Sequence, residues 1–100
     1  MEYAEIHRLR EMLDKENIPY EFNTLYDGFH LCYPRMNKTK DDHSRVCSVI
    51  EHDFSYGSHK DLLEIMGLLT DEEAKYDEVV GYLTAEDVFA RIKKHYDEVK

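Results

Sequence analysis

Asp27-Gly28 stands between two runs of aromatic and β-prone residues, 20–26 and 29–33. That dipeptide in that setting is a strong short-range signal for a β-hairpin, because a type I′ turn needs a left-handed backbone at both central positions. Taken as a two-residue loop, it sets Tyr26 opposite Phe29, Thr24 opposite Leu31 and Phe22 opposite Tyr33. Tyr20 continues the same face outward, and every large side chain except Leu25 falls on it. Glu21, Asn23, His30 and Cys32 fall on the other. A one-residue slip would scramble this sorting. The expectation is a hairpin over residues 20–33, with an aromatic face packed on helices and a partly wet reverse face.

Around the hairpin, Tyr3, Ile6, Leu9 or Arg10, and Leu13 recur at helical spacing, which predicts an amphipathic helix over residues 3–16. Pro19 disfavours a helical Ile18 and stops it near Asn17. Pro34 ends the second strand or places it at a sheet edge. Residues 36–44 are polar and read as a loop. Residues 45–51 read as a third strand, apolar on both faces and so central or doubly covered. Residues 59–66 read as a short helix closed by Gly67. Thr70-Asp71-Glu72-Glu73 and Thr84-Ala85-Glu86-Asp87 are helix starts. The second opens a stripe of Ala85, Val88, Phe89, Ile92, Tyr96 and Val99. Residues 78–83 read as a short strand or an anchored loop.

The chain's 100 residues fit a single domain over 1–100, and 42% apolar with 35% charged residues is a globular balance. A net charge of −9 opposes direct nucleic-acid binding and docking on an anionic membrane. Arg35, Lys38 and Lys40 are followed at once by Asp41 and Asp42 and read as a solvated loop. Two cysteines are too few for a disulfide-stapled secreted domain of this size. The first residues lack a basic stretch followed by an apolar run, and the longest apolar stretch, residues 62–69, is too short to span a bilayer. A cytoplasmic setting with reduced thiols is expected.

Ser55-Tyr56-Gly57, the stretch Leu62-Leu63-Glu64-Ile65-Met66-Gly67-Leu68-Leu69-Thr70, and Val80-Gly81-Tyr82-Leu83-Thr84-Ala85-Glu86-Asp87-Val88-Phe89 resemble phrases of a family of small uncharacterised proteins from Firmicutes phages and prophages. The resemblance covers residues 49–92. It implies a phage or mobile-element origin and carries no activity and no functional residues.

Five constellations offer chemistry. His30, Cys32, Cys47 and His52 are four soft ligands that could make a tetrahedral metal site, although their spacing is not that of a zinc finger or ribbon. Buried thiols and half-exposed histidines are the bland alternative. Ser55, Gly57, Ser58, His59 and Lys60 precede or open the expected helix of residues 59–66 and form a candidate anion site without the full P-loop pattern. Glu51, His52 and Asp53 together, with Glu73-Ala74-Lys75, superficially suggest metal-assisted hydrolysis, against a reading as solvated charge. The acid pairs Asp41-Asp42, Asp71-Glu72-Glu73, Asp77-Glu78, Glu86-Asp87 and Asp97-Glu98 would allow DNA mimicry if arrayed along one face, against a purely solubilising role. Eight tyrosines favour contact surfaces, and Tyr20, Phe22, Tyr26, Phe29 and Tyr33 form either the domain's own core or a self-association face.

The sequence therefore implies an α+β domain. A three-stranded, mainly antiparallel sheet, hairpin 20–33 plus strand 45–51, packs against the N-terminal and C-terminal helices. The expected role is a non-enzymatic protein-interaction module with a protein partner or a homodimer, and no cofactor. The alternative is a small metal- or phosphate-dependent enzyme.

Overall fold

The computed structural model describes residues 3–100. Its elements in chain order are α1 (Glu5–Lys15), β1 (Glu21–Leu25), β2 (Gly28–Tyr33), β3 (Cys47–Glu51), a 3-10 turn (Ser58–Lys60), β4 (Leu63–Met66), α2 (Asp71–Tyr76), β5 (Val79–Leu83) and α3 (Ala85–Val99). The strands form one five-stranded antiparallel sheet in the order β1-β2-β3-β4-β5. The fold is thus α+β, but the three-stranded sheet read from sequence is wrong by two strands. The expected helix over residues 59–66 is instead the end of the 3-10 turn followed by β4, and β5 falls within residues 78–83.

The reason lies in backbone angles and in one buried acid. Gly57 (φ 101°) and Asp61 (φ 56°) are left-handed and flank the 3-10 turn, so no α-helix can run through them. Leu63, Glu64 and Ile65 are all buried, so both faces of β4 are covered and its pattern cannot be told from a helix by period alone. Gly67 (φ 92°) closes the strand, where an added Cβ would lie 2.4 Å from the Val46 carbonyl oxygen.

α1 buries Ile6, Leu9 and Leu13 completely. It ends in a Schellman motif: Asn17 takes φ 56°, its N–H donates to the Asp14 carbonyl, and the Ile18 N–H donates to that of Leu13. α3 starts on a reciprocal capping box, in which the Thr84 hydroxyl accepts from the Asp87 N–H at 3.1 Å and the Asp87 carboxylate accepts from the Thr84 N–H at 3.1 Å. Replacing Thr84 by Ala should lower stability by about 1 kcal/mol in urea unfolding. A loss under a few tenths would show that this end of α3 is held by packing alone.

The hairpin register is Leu25↔Gly28, Thr24↔Phe29, Phe22↔Leu31 and Glu21↔Cys32. The loop is therefore Tyr26-Asp27, one residue earlier than the turn signal suggests. The pairing moves by two residues, which preserves parity, so Phe22, Phe29, Leu31 and Tyr33 keep a common face. That face carries Val49 of β3 and Ile65 of β4, and packs on Ile6, Leu9 and Leu13 of α1 and Val88 and Ile92 of α3. By the same alternation the reverse face carries His30, Cys32, Ser48, Ile50, Glu64 and Met66. No helix among the described residues is long and apolar enough to cross a membrane.

Candidate functional site

Three segments meet at the end of the sheet nearest the start of α1: the hairpin tip Tyr26-Asp27, the turn after β3 and residue Asp61. The turn after β3 is built by Ser55, whose hydroxyl accepts from the His52 N–H (3.1 Å) and donates to the His52 carbonyl (2.9 Å). The Phe54 N–H donates to His52 Nδ1 at 3.1 Å, which fixes the imidazole and turns the Phe54 side chain outward. Tyr26 and Phe54 pack edge to face with ring centroids 5.5 Å apart, over the buried His52. Both rings are held in solvent, 74% and 75% exposed.

Two carboxylates flank this pair. The Asp53 N–H donates to Asp27 Oδ1 at 3.0 Å, and the Tyr3 hydroxyl lies 2.9 Å from Asp27 Oδ2 and 3.0 Å from Asp53 Oδ1. The Asp53 backbone N–H is the main cause that holds the Asp27 carboxyl down at about 2, so it is ionised at any ordinary pH. Burial, and then these acids, push the Tyr3 phenol above its usual value. Beside them runs an open groove of about 610 Å³, lined by Tyr3, His7, Arg8 and Glu11 from the α1 side and by Asp27 and Phe29 from the hairpin. Arg8 is paired with Glu5 and Glu86.

Beneath the surface lies a second acidic group. Glu51 is fully buried, and its Oε1 accepts from the Ile6 N–H at 3.2 Å. Burial, and next the neighbouring Asp61, push its carboxyl up to about 9. At neutral pH Glu51 therefore carries a proton. Asp61 Oδ1 accepts from the N–H groups of Ala4 (3.0 Å) and Glu5 (3.1 Å), and Glu5 Oε2 accepts from the Ala85 N–H (2.6 Å). These acids satisfy the otherwise orphaned donors of the first turns of α1 and α3. They are ties between elements, and the Glu51 proton is sealed from anything in the groove. Among the described residues no serine, threonine or cysteine lines that groove.

The structure separates most of the constellations singled out from sequence. His30 and Cys32 share the reverse sheet face, where His30 Nε2 lies 2.6 Å from Ser48 Oγ and 3.2 Å from Cys32 Sγ. Cys47 pairs with Tyr33 on the opposite face, and burial pushes its thiol up to about 12. His52 lies beyond the end of β3. Among the described residues no group of three or more His, Cys, Asp or Glu is placed to hold a metal ion. The Ser55–Lys60 segment opens no α-helix: Ser55 spends its hydroxyl on its own turn, Gly57 caps a single 3-10 turn, and His59 and Lys60 point to solvent as exposed residues.

Of the five aromatic residues, Tyr33 is buried with its hydroxyl 2.8 Å from His95 Nδ1, and Tyr20 donates to Asp14 at 2.8 Å. Phe22 and Phe29 stack at 5.2 Å beneath His7, with the Arg10 guanidinium 4.0 Å above the Phe22 ring. α1 thus covers most of that face, and Tyr26 alone projects. Several acids are engaged by nearby backbone: Asp42 accepts from the N–H groups of Lys38 and Ser44 within its loop, and Asp87 caps α3 by accepting from that of Thr84. Glu73 caps α2 and grips Arg91 through two bonds of 2.8 Å; Arg91 is the chief cause that lowers its carboxyl to about 2. Sequence reasoning missed Phe54 and the Tyr3–Asp27–Asp53 cluster. The one signal available was Phe54's place in a polar loop, an apolar ring with no periodic partner. No protein-family model matches the chain, and no curated protein or solved structure is significantly similar to it.

Proposed function

We propose that the protein is a binding module that holds a basic segment of a partner protein at the acidic, aromatic end of its sheet. The observation that carries this reading is Tyr26. It takes φ 56° at the hairpin tip, a backbone state that favours Gly or Asn, yet it bears an aromatic ring that is 74% exposed. Local strain of this kind is tolerated where display of the side chain matters more than stability. Phe54 stands against it, and Asp27, Asp53 and Glu11 supply ionised or exposed acids nearby. Aromatic faces and carboxylates together suit lysine and arginine side chains, through cation–π contact and charge pairing. A chain of net charge −9 also steers such a partner toward itself.

Calorimetric titration with a lysine- and arginine-rich peptide tests this. Wild-type protein should bind, more weakly at high salt, and the double variant Tyr26→Ala/Phe54→Ala should lose on the order of tenfold in affinity. Both side chains are exposed, so the variant should unfold at nearly the wild-type temperature. Equal affinity of variant and wild type would show that the aromatic tip is not the docking site.

A further inference from the structure

We infer that the basic segment is held as a sixth strand, hydrogen-bonded along the outer edge of β1, with alternate side chains directed into the groove between α1 and the hairpin. This rests on the docking reading above and adds how the segment is held. The sheet has two edges, β1 and β5. The β5 edge is spoiled: its register slips between Leu63 and Ile65, Tyr82 takes φ 60°, and the Tyr82 N–H is spent on the Tyr56 carbonyl at 3.2 Å. Such a bulge is how sheets protect an edge. β1 has none of these devices. It is five residues in unbroken register, Glu21-Phe22-Asn23-Thr24-Leu25, without proline, lysine or bulge.

The register says which backbone groups are free. Leu25↔Gly28 closes a two-residue loop and is therefore a hydrogen-bonded pair, and such pairs alternate along an antiparallel ladder. Glu21, Asn23 and Leu25 thus turn their N–H and C=O toward β2, while those of Phe22 and Thr24 point away from the sheet. No other described segment pairs with them.

α1 supplies the selectivity. It runs antiparallel to β1, as shown by Tyr3 at Asp27, His7 at Phe22 and Phe29, Arg10 over Phe22, and Asp14 at Tyr20. A strand added outside β1 would send every second side chain under this helix. There Glu11, Asp14 and Asp27 are exposed acids, whereas Arg10 is taken up by the Phe22 ring. Long basic side chains can lay their stems along the groove wall formed by His7 and Phe29 and their heads against these acids. A second copy of this chain would add its own net charge of −9, so charge favours a basic segment over self-pairing.

The test is amide exchange of the wild-type protein with and without an alternating lysine–valine nonapeptide. The amides of Phe22 and Thr24 should exchange freely alone and slow by on the order of tenfold or more with peptide. Thr24→Pro removes an outward N–H and no ladder bond, so the hairpin should persist while affinity falls about tenfold. N-methylation of alternate peptide residues should do the same without touching the protein. Unchanged exchange at Phe22 and Thr24, with peptide affinity kept in Thr24→Pro but lost in Tyr26→Ala/Phe54→Ala, overturns the added strand and leaves the docking end standing. Absence of any binding overturns both. Slow exchange at these amides without peptide, together with a dimer in sedimentation, overturns the occupant and assigns the edge to a second copy.

Discussion

Raising the pH from about 5 to about 9 should destabilise the folded protein, and Glu51→Gln should remove most of that loss. Glu51 is fully buried and its carboxyl is pushed up to about 9, against an ordinary value of 4.5. Below 4.5 the group is protonated in both folded and unfolded chains and favours neither. Between 4.5 and about 9 the folded chain keeps a proton that the unfolded chain releases, so stability falls as pH rises. Above that window both states are ionised and the cost is constant. At pH 7 the linkage amounts to on the order of 3 kcal/mol, a large share of the stability of a small domain. The acid limb has the opposite sign. Asp27 and Glu73 are both lowered to about 2, so what they contribute is present above their ordinary values and is lost as pH falls through that of the folded state. The stability maximum should therefore lie near pH 4–5, below the usual range for globular proteins. Glutamine copies the neutral shape of the protonated acid, and its oxygen can accept from the Ile6 N–H. Urea unfolding across the pH range should show wild type and Glu51→Gln alike near pH 4.5, with the variant more stable at pH 8.5 by on the order of 5 kcal/mol. A flat wild-type profile, or a variant weaker at pH 8.5, would show that Glu51 is ionised in the fold.

α1 and α3 were legible because their determinants are local. Ile6, Leu9 and Leu13, and then Val88 and Ile92, mark stripes that only helices can bury, and Thr84 with Asp87 marks a start. The faces of the hairpin were legible too, since parity survives a two-residue shift of pairing. β4 was not, because its apolar residues fit a helix as well as a strand and nothing local marks Glu64 as covered. It is buried, and its carboxylate accepts from the Tyr56 N–H at 2.9 Å, a partner fixed by the loop's path and not by nearby sequence. The site was hidden for the same reason. Tyr3, Asp27 and Asp53 meet only after the hairpin tip and the β3 turn are brought to the start of α1, and proton retention by Glu51 depends on burial that no spacing reveals.

Gly28→Ala should cost more than about 3 kcal/mol and bring the protein close to unfolding at room temperature. The Asp27-Gly28 pair reads as a turn, but the turn is Tyr26-Asp27, and Gly28 is the first residue of β2 with no left-handed angle. Its glycine is required by crowding. A Cβ there would sit 2.0 Å from the Glu51 carbonyl oxygen, 2.7 Å from His52 Cα and 2.8 Å from His52 Cβ. The nearest of these atoms are backbone, so no rotamer change relieves the clash. β2 would have to part from β3 at the point where Glu51, His52 and the aromatic tip are all fixed. This contact also accounts for Tyr26: with Gly28 committed to β3, the left-handed position of the loop passes to residue 26. Tyr26→Gly should then stabilise the protein by up to about 1 kcal/mol, while weakening binding of the basic peptide. Thermal and urea unfolding of both variants decide the matter. If Gly28→Ala loses only what an ordinary strand substitution loses, the close approach of β2 to β3 is absent. If Tyr26→Gly is destabilising, the Tyr26 ring contributes more packing against His52 and Phe54 than its backbone strain removes.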